Sequence, residues 1–145
     1  MPFRRRLSLI VFSGDFDRVH YALAMASAAA AMDRPVTLFF SGRALHFFLA
    51  DAVDGTPGWA ALNSGEISKT TIERNEELKN DGIGTIEELA LAGINLDVSF
   101  FWCDMGVKAT NLAANMFRTD IPTRGGGLVS FLSEAEKEDS QVVFI

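Results

Sequence analysis

The single cysteine of the chain, Cys103, stands between an apolar run and a short polar segment. We expect it at the end of a β-strand and directly before a helix, where the helix N-terminus lowers the pKa of a thiol and favours the reactive thiolate. The neighbouring carboxylate of Asp104 opposes this effect, because it disfavours a second negative charge. Free cysteine is also often a small buried apolar residue. A nucleophile and a packing residue are therefore both open interpretations.

Two arginines beside glycine-containing turns indicate an anion site. Arg43 follows Ser41-Gly42, and Arg124 precedes the run Gly125–Gly127. Glycines allow the backbone to approach a ligand closely, and a guanidinium group adds a fixed positive charge. A flexible turn for Arg124 and a salt bridge for Arg43 are the alternatives. The sequence contains neither the G-x-x-x-x-G-K-[ST] nor the G-x-G-x-x-G phosphate-binding pattern.

The histidines and the first acidic residues carry weaker signals. His20 is near the expected site and is a candidate general base, although no paired nucleophile accompanies it. His46 stands beside aromatic residues and is interpreted as a packing residue. Asp15 and Asp17 are expected to cap a helix, with a catalytic role as the alternative. No spacing of His, Cys, Asp and Glu predicts a metal site, and no cofactor is expected.

Short β-rich runs alternate with longer helical ones, which is typical of βαβ units in a mostly parallel sheet. Strands are predicted at residues 7–12, 36–40, 96–102, 120–123 and 141–145. Helices are predicted at about 17–32, 43–51, 86–91, 108–117 and 128–137. We therefore expect an α/β fold with about five mostly parallel strands.

Residues 1–145 are predicted to form one domain, with a partly helical insertion at about 53–82 that is too short for its own core. After this insertion, Thr85 and Glu88 have the spacing of a capping box. Gly93 is predicted to end the helix that they begin.

In a parallel sheet the carboxyl ends of the strands share one edge, and ligands of open α/β folds bind there. Four glycine-containing turns are predicted to meet at this edge, the fourth being residues 124–127. The candidate ligand-binding residues are Ser13, Gly14, Asp15, Ser41, Gly42, Arg43, Met105, Gly106, Arg124, Gly125 and Gly126, with Cys103 as the candidate catalytic residue.

Composition excludes several functional classes. The 145 residues carry a net charge of −6, which argues against an electrostatic nucleic-acid binder. One cysteine cannot form an intrachain disulfide, so we expect the reducing cytoplasm as the compartment. The alanine-rich stretch 22–32 is shorter than the roughly 20 residues of a membrane helix, so no membrane span is predicted.

Aromatic residues are numerous for a chain of this length, with 12 phenylalanines. Those of the predicted strands fill a core between helix layers. Phe47, Phe48, Trp59 and Trp102 are harder to bury together in a small monomer. A homo-oligomer would cover this surplus of apolar surface, so we predict self-association.

Several segments together form a recognisable pattern. They are Ser13-Gly14-Asp15 before an alanine-rich helix, Phe39-Phe40-Ser41-Gly42 before an apolar helix, Thr85-Ile86-Glu87-Glu88-Leu89, Gly93-Ile94 before an apolar strand, a cysteine with Met105-Gly106, and Gly126-Gly127-Leu128 through Phe144. This pattern resembles the DsrE/DsrF-like family over nearly the whole chain. The resemblance implies a three-layer α/β/α domain with a parallel five-stranded sheet that assembles as trimers or hexamers.

The resemblance also implies a function. Members of the family that take part in sulfur relay hold sulfane sulfur as a persulfide on a cysteine after a central strand, and pass it to the next thiol. For this chain that means a sulfur carrier or a sulfurtransferase acting through Cys103, with sulfur donor and acceptor proteins as partners. The alternatives are a non-catalytic module that binds a small anion or a nucleotide, and a structural oligomer subunit.

The position of the cysteine departs from the family pattern. The family cysteine precedes the Met-Gly element by several more residues, which corresponds to Val98 or Ser99 here. Cys103 is two residues before Met105. Either the loop is shortened and Cys103 acts in its place, or the relay cysteine has been lost.

Overall fold

A computed structural model describes residues 4–145 of the chain. Five strands form one sheet in the order β4-β3-β2-β1-β5, and every pair of neighbours is parallel. The strands are β1 (Leu7–Val11), β2 (Val36–Phe40), β3 (Ser99–Cys103), β4 (Thr123–Gly126) and β5 (Gln141–Phe144). The helices are α1 (Phe16–Ala31), α2 (Thr71–Asn80), α3 (Ile86–Asn95), α4 (Asp104–Ala109) and α5 (Leu128–Lys137), with 3₁₀ turns at Gly42–Phe48, Gly58–Ala61 and Ala114–Met116. The predicted α/β class with a parallel five-stranded sheet is confirmed.

One face of the sheet carries the main core. Leu9, Leu38 and Phe100 are level with one another on β1, β2 and β3, and all three are buried. Helices α1 and α3 pack together, and α1 also packs on β1 and β2. Alternate residues of a strand point to opposite faces, so these apolar positions fill the space beneath the two helices.

Helix α1 begins and packs as its sequence predicts. The backbone N–H of Asp17 donates to Oδ1 of Asp15 at 2.8 Å, so Asp15 is the N-cap. The buried face includes Ala22, Ala26 and Ala29. Their small side chains allow the helix to lie close to its neighbours.

The capping box of α3 is confirmed, but the predicted end of this helix is wrong. The N–H of Glu88 donates to Oγ1 of Thr85 at 3.2 Å, and the N–H of Thr85 donates back to the Glu88 carboxylate at 3.4 Å. Gly93 lies inside the helix, and a Cβ atom there would be 3.4 Å from the Phe100 ring. Asp97, with a φ of 63°, provides the left-handed residue after the helix. Gly93 is therefore small because α3 approaches β3 closely.

Three other predicted boundaries in the second half of the chain are wrong. Strand β3 begins at Ser99, because α3 and its left-handed terminus occupy the preceding residues. The helix predicted at 108–117 is two separate pieces, and Asn111, with a φ of 58°, lies between them. Strand β4 begins at Thr123, three residues later than predicted.

The segment Arg124–Gly126 was expected as a turn and is instead part of β4. It pairs with Phe101–Cys103 of β3. The indole of Trp102 lies so close to Gly125 that a Cβ atom there would clash with the ring. Strand pairing and the bulk of the indole, rather than turn formation, therefore explain Gly125.

The aromatic surplus is buried within the single chain. Phe47, Phe48 and Trp59 are each at most 5% exposed, and Trp102 packs partly buried against the same core. Trp59 lies in the segment 53–82, whose residue Leu62 also joins the core. These four aromatic residues therefore do not call for an oligomer, contrary to the reasoning from sequence.

The opposite face of the sheet is covered by one helix, α5. The ring of Phe131 stacks on Phe39 of β2, with 4.5 Å between the ring centroids. At the other end of α5, Glu138 forms an ion pair with Arg6. Within residues 4–145, no helix combines the length and the apolar character that a bilayer crossing requires.

Arg118 is the most extensively paired charge in the described part of the chain. Its guanidinium group contacts both oxygens of Glu87 at 2.7 and 2.8 Å and both oxygens of Asp120 at 2.7 and 2.6 Å. The side chain is 14% exposed and lies over the Phe47 ring at 5.8 Å. These contacts connect the start of α3 to the loop before β4.

This cluster predicts a loss of stability in acid. Hydrogen bonds from Arg118 hold the pKa of Asp120 below its ordinary value of 3.8. A carboxyl with a lowered pKa in the folded state contributes stability above its ordinary pKa, and this contribution disappears as pH falls through the lowered value. We therefore expect Asp120→Asn to reduce the free energy of unfolding by about 0.5 kcal/mol at about pH 6, and by much less at about pH 2.5.

Urea denaturation at both pH values measures this difference. Glu76→Gln, which removes one acidic charge from the surface of α2, is the control. Its difference in the free energy of unfolding from the wild type should not shrink between the two pH values. An Asp120→Asn effect of the same size at both pH values would contradict the predicted role of the carboxylate.

Candidate functional site

Three glycine-containing turns converge at the carboxyl edge of the sheet, as predicted. They follow β1, β2 and β3, of which β1 and β2 end level with Trp102, one residue before the end of β3. The turns enclose an open cavity of about 770 Å³, which we call the carboxyl-edge cavity. Its lining residues are Phe12, Ser13, Gly14, Ser41, Gly42, Arg43, His46, Met105, Gly106, Ala109, Thr110 and Asn111.

Glycines bring these turns into contact. A Cβ atom on Gly14 would be 2.5 Å from Cβ of Arg43, and one on Gly106 would clash with the side chain of Ser41. Gly42 has a φ of 54° and lies against the carbonyl oxygen of Phe12. The absence of side chains at these positions therefore determines how closely the walls approach one another.

The carboxyl-edge cavity combines one cation with neutral polar groups. Arg43 is exposed, and no carboxylate within residues 4–145 forms an ion pair with it. His46 lines the same cavity. Asp15 lies in an adjoining depression beside Arg43, where its carboxylate caps α1. Asp104 is exposed at the first residue of α4. The arginine is therefore available to an anionic ligand.

Sequence reasoning missed three of the polar lining residues, His46, Thr110 and Asn111. The aromatic neighbours of His46 favoured a packing role, and Phe47 and Phe48 are indeed buried. The 3₁₀ turn leaves His46 itself partly exposed toward the cavity. Thr110 carries no sequence signal, since it reaches the cavity only because α4 ends early.

Cys103 is buried beside the carboxyl-edge cavity rather than lining it. It is the last residue of β3 and the N-cap of α4, and its side chain is 2% exposed. The N–H of Gly106 donates to its Sγ atom at 3.4 Å. Gly106 and Met105 line the cavity, so a single turn of helix separates the thiol from the solvent.

The fourth predicted turn does not line the carboxyl-edge cavity. Arg124 lies opposite Phe101 within the sheet, and its guanidinium is 5.3 Å from that ring. Arg124, Gly125 and Gly126 line a separate cavity of about 550 Å³ beneath α5. The prediction that four turns meet around one site is therefore wrong for residues 124–127, because Arg124–Gly126 belong to β4 and line this separate cavity.

His20 has a packing role rather than a place in the carboxyl-edge cavity. It is buried, and its Nε2 atom is 2.8 Å from the carbonyl oxygen of Gly84. The imidazole also packs near the Phe16 ring, with 6.0 Å between centroids. His20 does not line the carboxyl-edge cavity, so its imidazole is not placed to act as a general base there.

No cluster of three or more His, Cys, Asp or Glu side chains suited to a metal occurs in residues 4–145. The fold and the site define an α/β protein with a ligand-sized cavity at the carboxyl edge of a parallel sheet. No model of a known protein family matches the sequence, and no curated protein matches it.

Three solved structures share the fold. MTH1491 from Methanobacterium thermoautotrophicum, a protein of unknown function, is 12% identical with a TM-score of 0.59, over 97% of this chain and 99% of its own. BT1422 from Bacteroides thetaiotaomicron, a conserved protein of unknown function, is 12% identical with a TM-score of 0.56, over 97% and 94%. The ychN protein from E. coli is 14% identical with a TM-score of 0.55, over 97% and 99%. At these identities the likeness shows a common fold alone.

The contact between Gly14 and Arg43 predicts the effect of a small substitution. Gly14→Ala places a methyl group against the Arg43 side chain, whose Cβ atom moves only with its backbone. We expect a loss of about 1–3 kcal/mol in the free energy of unfolding, which is the usual cost of overpacking. Urea denaturation checks this expectation.

Gly126→Ala is the matched control, since no atom lies within 4 Å of the added Cβ position. It should leave the free energy of unfolding unchanged or slightly increased. Equal losses in the two variants would show that the Gly14 contact is not tight.

Proposed function

We propose that this protein binds a small anionic ligand, of the size of a nucleotide or smaller, in the carboxyl-edge cavity. The observation that carries the proposal is the convergence of three glycine turns on a cavity that holds Arg43, which has no ion-pair partner within residues 4–145. In open α/β folds, ligands bind outside the carboxyl ends of the strands. The volume of about 770 Å³ is within the usual range for small-molecule sites.

The lining supports recognition of an oxyanion. A guanidinium group donates parallel N–H bonds to a phosphate or carboxylate, and charge-assisted bonds of this kind are stronger than neutral ones. The hydroxyl groups of Ser13 and Ser41 provide further donors in the same lining, whereas the Thr110 hydroxyl donates to the carbonyl oxygen of Gly106 at 2.8 Å. Phe12 and Met105 add an apolar wall for the uncharged part of a ligand.

Binding of inorganic phosphate and of adenosine monophosphate to the full chain tests this proposal. We expect saturable binding by titration calorimetry or NMR, and a tenfold or greater loss of affinity in Arg43→Gln, which corresponds to about 1.4 kcal/mol. Arg18→Gln removes the same charge from an exposed position of α1 and should bind as the wild type does. Equal weakening in both variants would indicate a nonspecific charge effect, and no binding of either probe would contradict the proposal.

Sulfur relay through Cys103 is a second candidate function. Its support is the hydrogen bond from the Gly106 N–H to the cysteine sulfur, together with the place of Gly106 in the cavity lining. The sequence resemblance to the DsrE/DsrF-like family supports the same function and membership of that family. In the described conformation the thiol is 2% exposed, so transfer requires the first turn of α4 to open.

The transfer step balances with a sulfane-sulfur donor such as thiosulfate. The Cys103 thiolate attacks the outer sulfur, the S–S bond of the donor breaks, and sulfite leaves with the bonding electron pair. The product is a cysteine persulfide anion, which a second thiolate attacks to accept the sulfur. A carrier of this kind needs a single cysteine.

We expect wild-type protein treated with thiosulfate to gain one sulfur atom by intact mass measurement, while Cys103→Ser gains none. Because the thiol is buried, we also expect it to react with a disulfide reagent at least tenfold more slowly in the native protein than in denaturant. Sulfur addition in denaturant alone would contradict the relay function and leave the anion site unaffected.

Assembly into a homo-oligomer, such as a trimer or hexamer, is part of the same proposal. Its structural support is a set of exposed apolar side chains on α5 and β5: Leu128, Val129, Leu132, Val142 and Phe144. Exposed apolar patches often mark contacts between proteins. We likewise keep the cytoplasm as the proposed compartment, on the strength of the lone cysteine.

A further inference from the structure

A second cavity, the α5 cavity, lies between α5 and the outer face of the sheet. Its volume is about 550 Å³, and none of its lining residues lines the carboxyl-edge cavity. One helix covers this face, and the cavity extends from β1 to β4 at the side of that helix. Hydroxyl groups, aromatic rings, two arginines and two glutamates line it, and their arrangement indicates the ligand class.

Three hydroxyl groups form a row along the floor of the cavity. Ser8 is level with Thr37 in the sheet, and Thr37 is level with Ser99. Neighbouring strands are about 4.8 Å apart, so the row spans about 10 Å. Covered parallel sheets usually carry apolar side chains on both faces, yet Ser8 is 2% exposed. The floor therefore offers hydrogen-bonding groups where packing alone favours Val, Ile or Leu.

Aromatic rings form the adjacent part of the lining. Phe39 and Phe101 are level with each other on β2 and β3, two residues further along than the hydroxyl row. Phe131 of α5 stacks on Phe39 at an interplanar angle of 20°. Flat aromatic walls beside a row of hydroxyl groups suit a planar ring with a polar substituent.

Among the charged residues that line the α5 cavity, Arg124 is the one available to an anionic ligand. Arg6 is paired with Glu138 and donates to Oγ1 of Thr37 at 3.1 Å. Glu134 is 3.6 Å from Lys137. Arg124 lies over the Phe101 ring, and no carboxylate within residues 4–145 forms an ion pair with it. An anionic group of a ligand therefore finds its unpaired partner at Arg124.

Two glycines of the cavity lining have free space where a side chain would be. A Cβ atom on Gly126 or on Gly127 would have no neighbour within 4 Å, and neither residue has a positive φ. Backbone conformation and packing therefore do not require glycine at these positions, in contrast to Gly125. Both glycines line the α5 cavity, where larger side chains would narrow the access to Arg124.

We propose that the α5 cavity binds a small aromatic carboxylate, such as a hydroxybenzoate. The carboxylate pairs with Arg124, the ring packs beside Phe39 and Phe101, and the ring hydroxyl bonds to the row formed by Ser8, Thr37 and Ser99. Specificity follows from the combination, because a neutral ring lacks the ion pair and an inorganic anion lacks the aromatic contact. This site is independent of the anion site at the carboxyl edge.

The probe is 4-hydroxybenzoate, titrated into the ¹⁵N-labelled full chain and followed by NMR, with 4-hydroxybenzamide as its neutral counterpart. We expect 4-hydroxybenzoate to cause saturable shifts of the backbone N–H signals of Ser99, Arg124 and Gly126. We expect 4-hydroxybenzamide to bind at least tenfold more weakly. Arg124→Gln should weaken binding of the carboxylate at least tenfold. Arg43→Gln, which removes the same charge from the other cavity, should leave this affinity unchanged.

A steric variant tests the location. Gly126→Leu has no atom within 4 Å of its Cβ position and should abolish 4-hydroxybenzoate binding without altering phosphate binding at the carboxyl edge. Equal affinity for the acid and its amide, or no loss in Arg124→Gln or Gly126→Leu, would overturn the proposal.

The oligomeric mass, measured by light scattering on the same samples, distinguishes a ligand from a second copy of the chain. If the α5 cavity is a subunit interface, the wild type does not bind the probe and Gly126→Leu lowers the mass, which overturns the proposal. Failure of phosphate binding at Arg43 with retention of 4-hydroxybenzoate binding at Arg124 would affect the proposed function alone.

Discussion

The parallel registration of β1, β2 and β3 is the constraint on which the rest of the structure depends. Val11, Phe40 and Trp102 are level with one another, so the three strands end together and their turns emerge side by side. The glycines at 14 and 106 then permit contact between turns from distant parts of the sequence. A shift of one residue would reverse the faces of every strand and separate these turns.

The two faces of the sheet have different coverage, and this asymmetry explains the second of the two candidate sites. Helices α1 and α3 cover one face, where the apolar core is continuous. A single helix, α5, covers the other face, leaving space beside the hydroxyl row of β1, β2 and β3. The carboxyl-edge cavity arises from strand ends, whereas the α5 cavity arises from incomplete coverage.

The burial of Cys103 ranks the two proposed functions. Its sulfur is buried and accepts a hydrogen bond from Gly106, so the proposed sulfur transfer requires movement of α4. The proposed anion binding does not involve this thiol. Arg43, in contrast, is exposed at the cavity and has no carboxylate partner within residues 4–145. The described geometry therefore favours a ligand that enters from the solvent.

Local sequence signals were sufficient to predict the class of the fold and much of the first half of the chain. Apolar β-rich runs predicted strands. The residue types at Asp15 and Thr85 predicted two helix starts, since a cap depends on neighbours within a few residues. The three glycine turns after β1, β2 and β3 were also predicted from the sequence. Parallel strands that end at one edge must bring such turns together.

Tertiary structure alone decided the assignments that depend on distant partners. Gly93 resembles a helix end in sequence, but it lies inside α3 because Phe100 packs against it. The segment Arg124–Gly126 resembles a turn, but pairing with β3 makes it a strand and moves the guanidinium to another cavity. The burial of Cys103 likewise depends on the covering turn of α4. Sequence specifies local backbone preferences, whereas long-range packing determines which side chains reach a ligand.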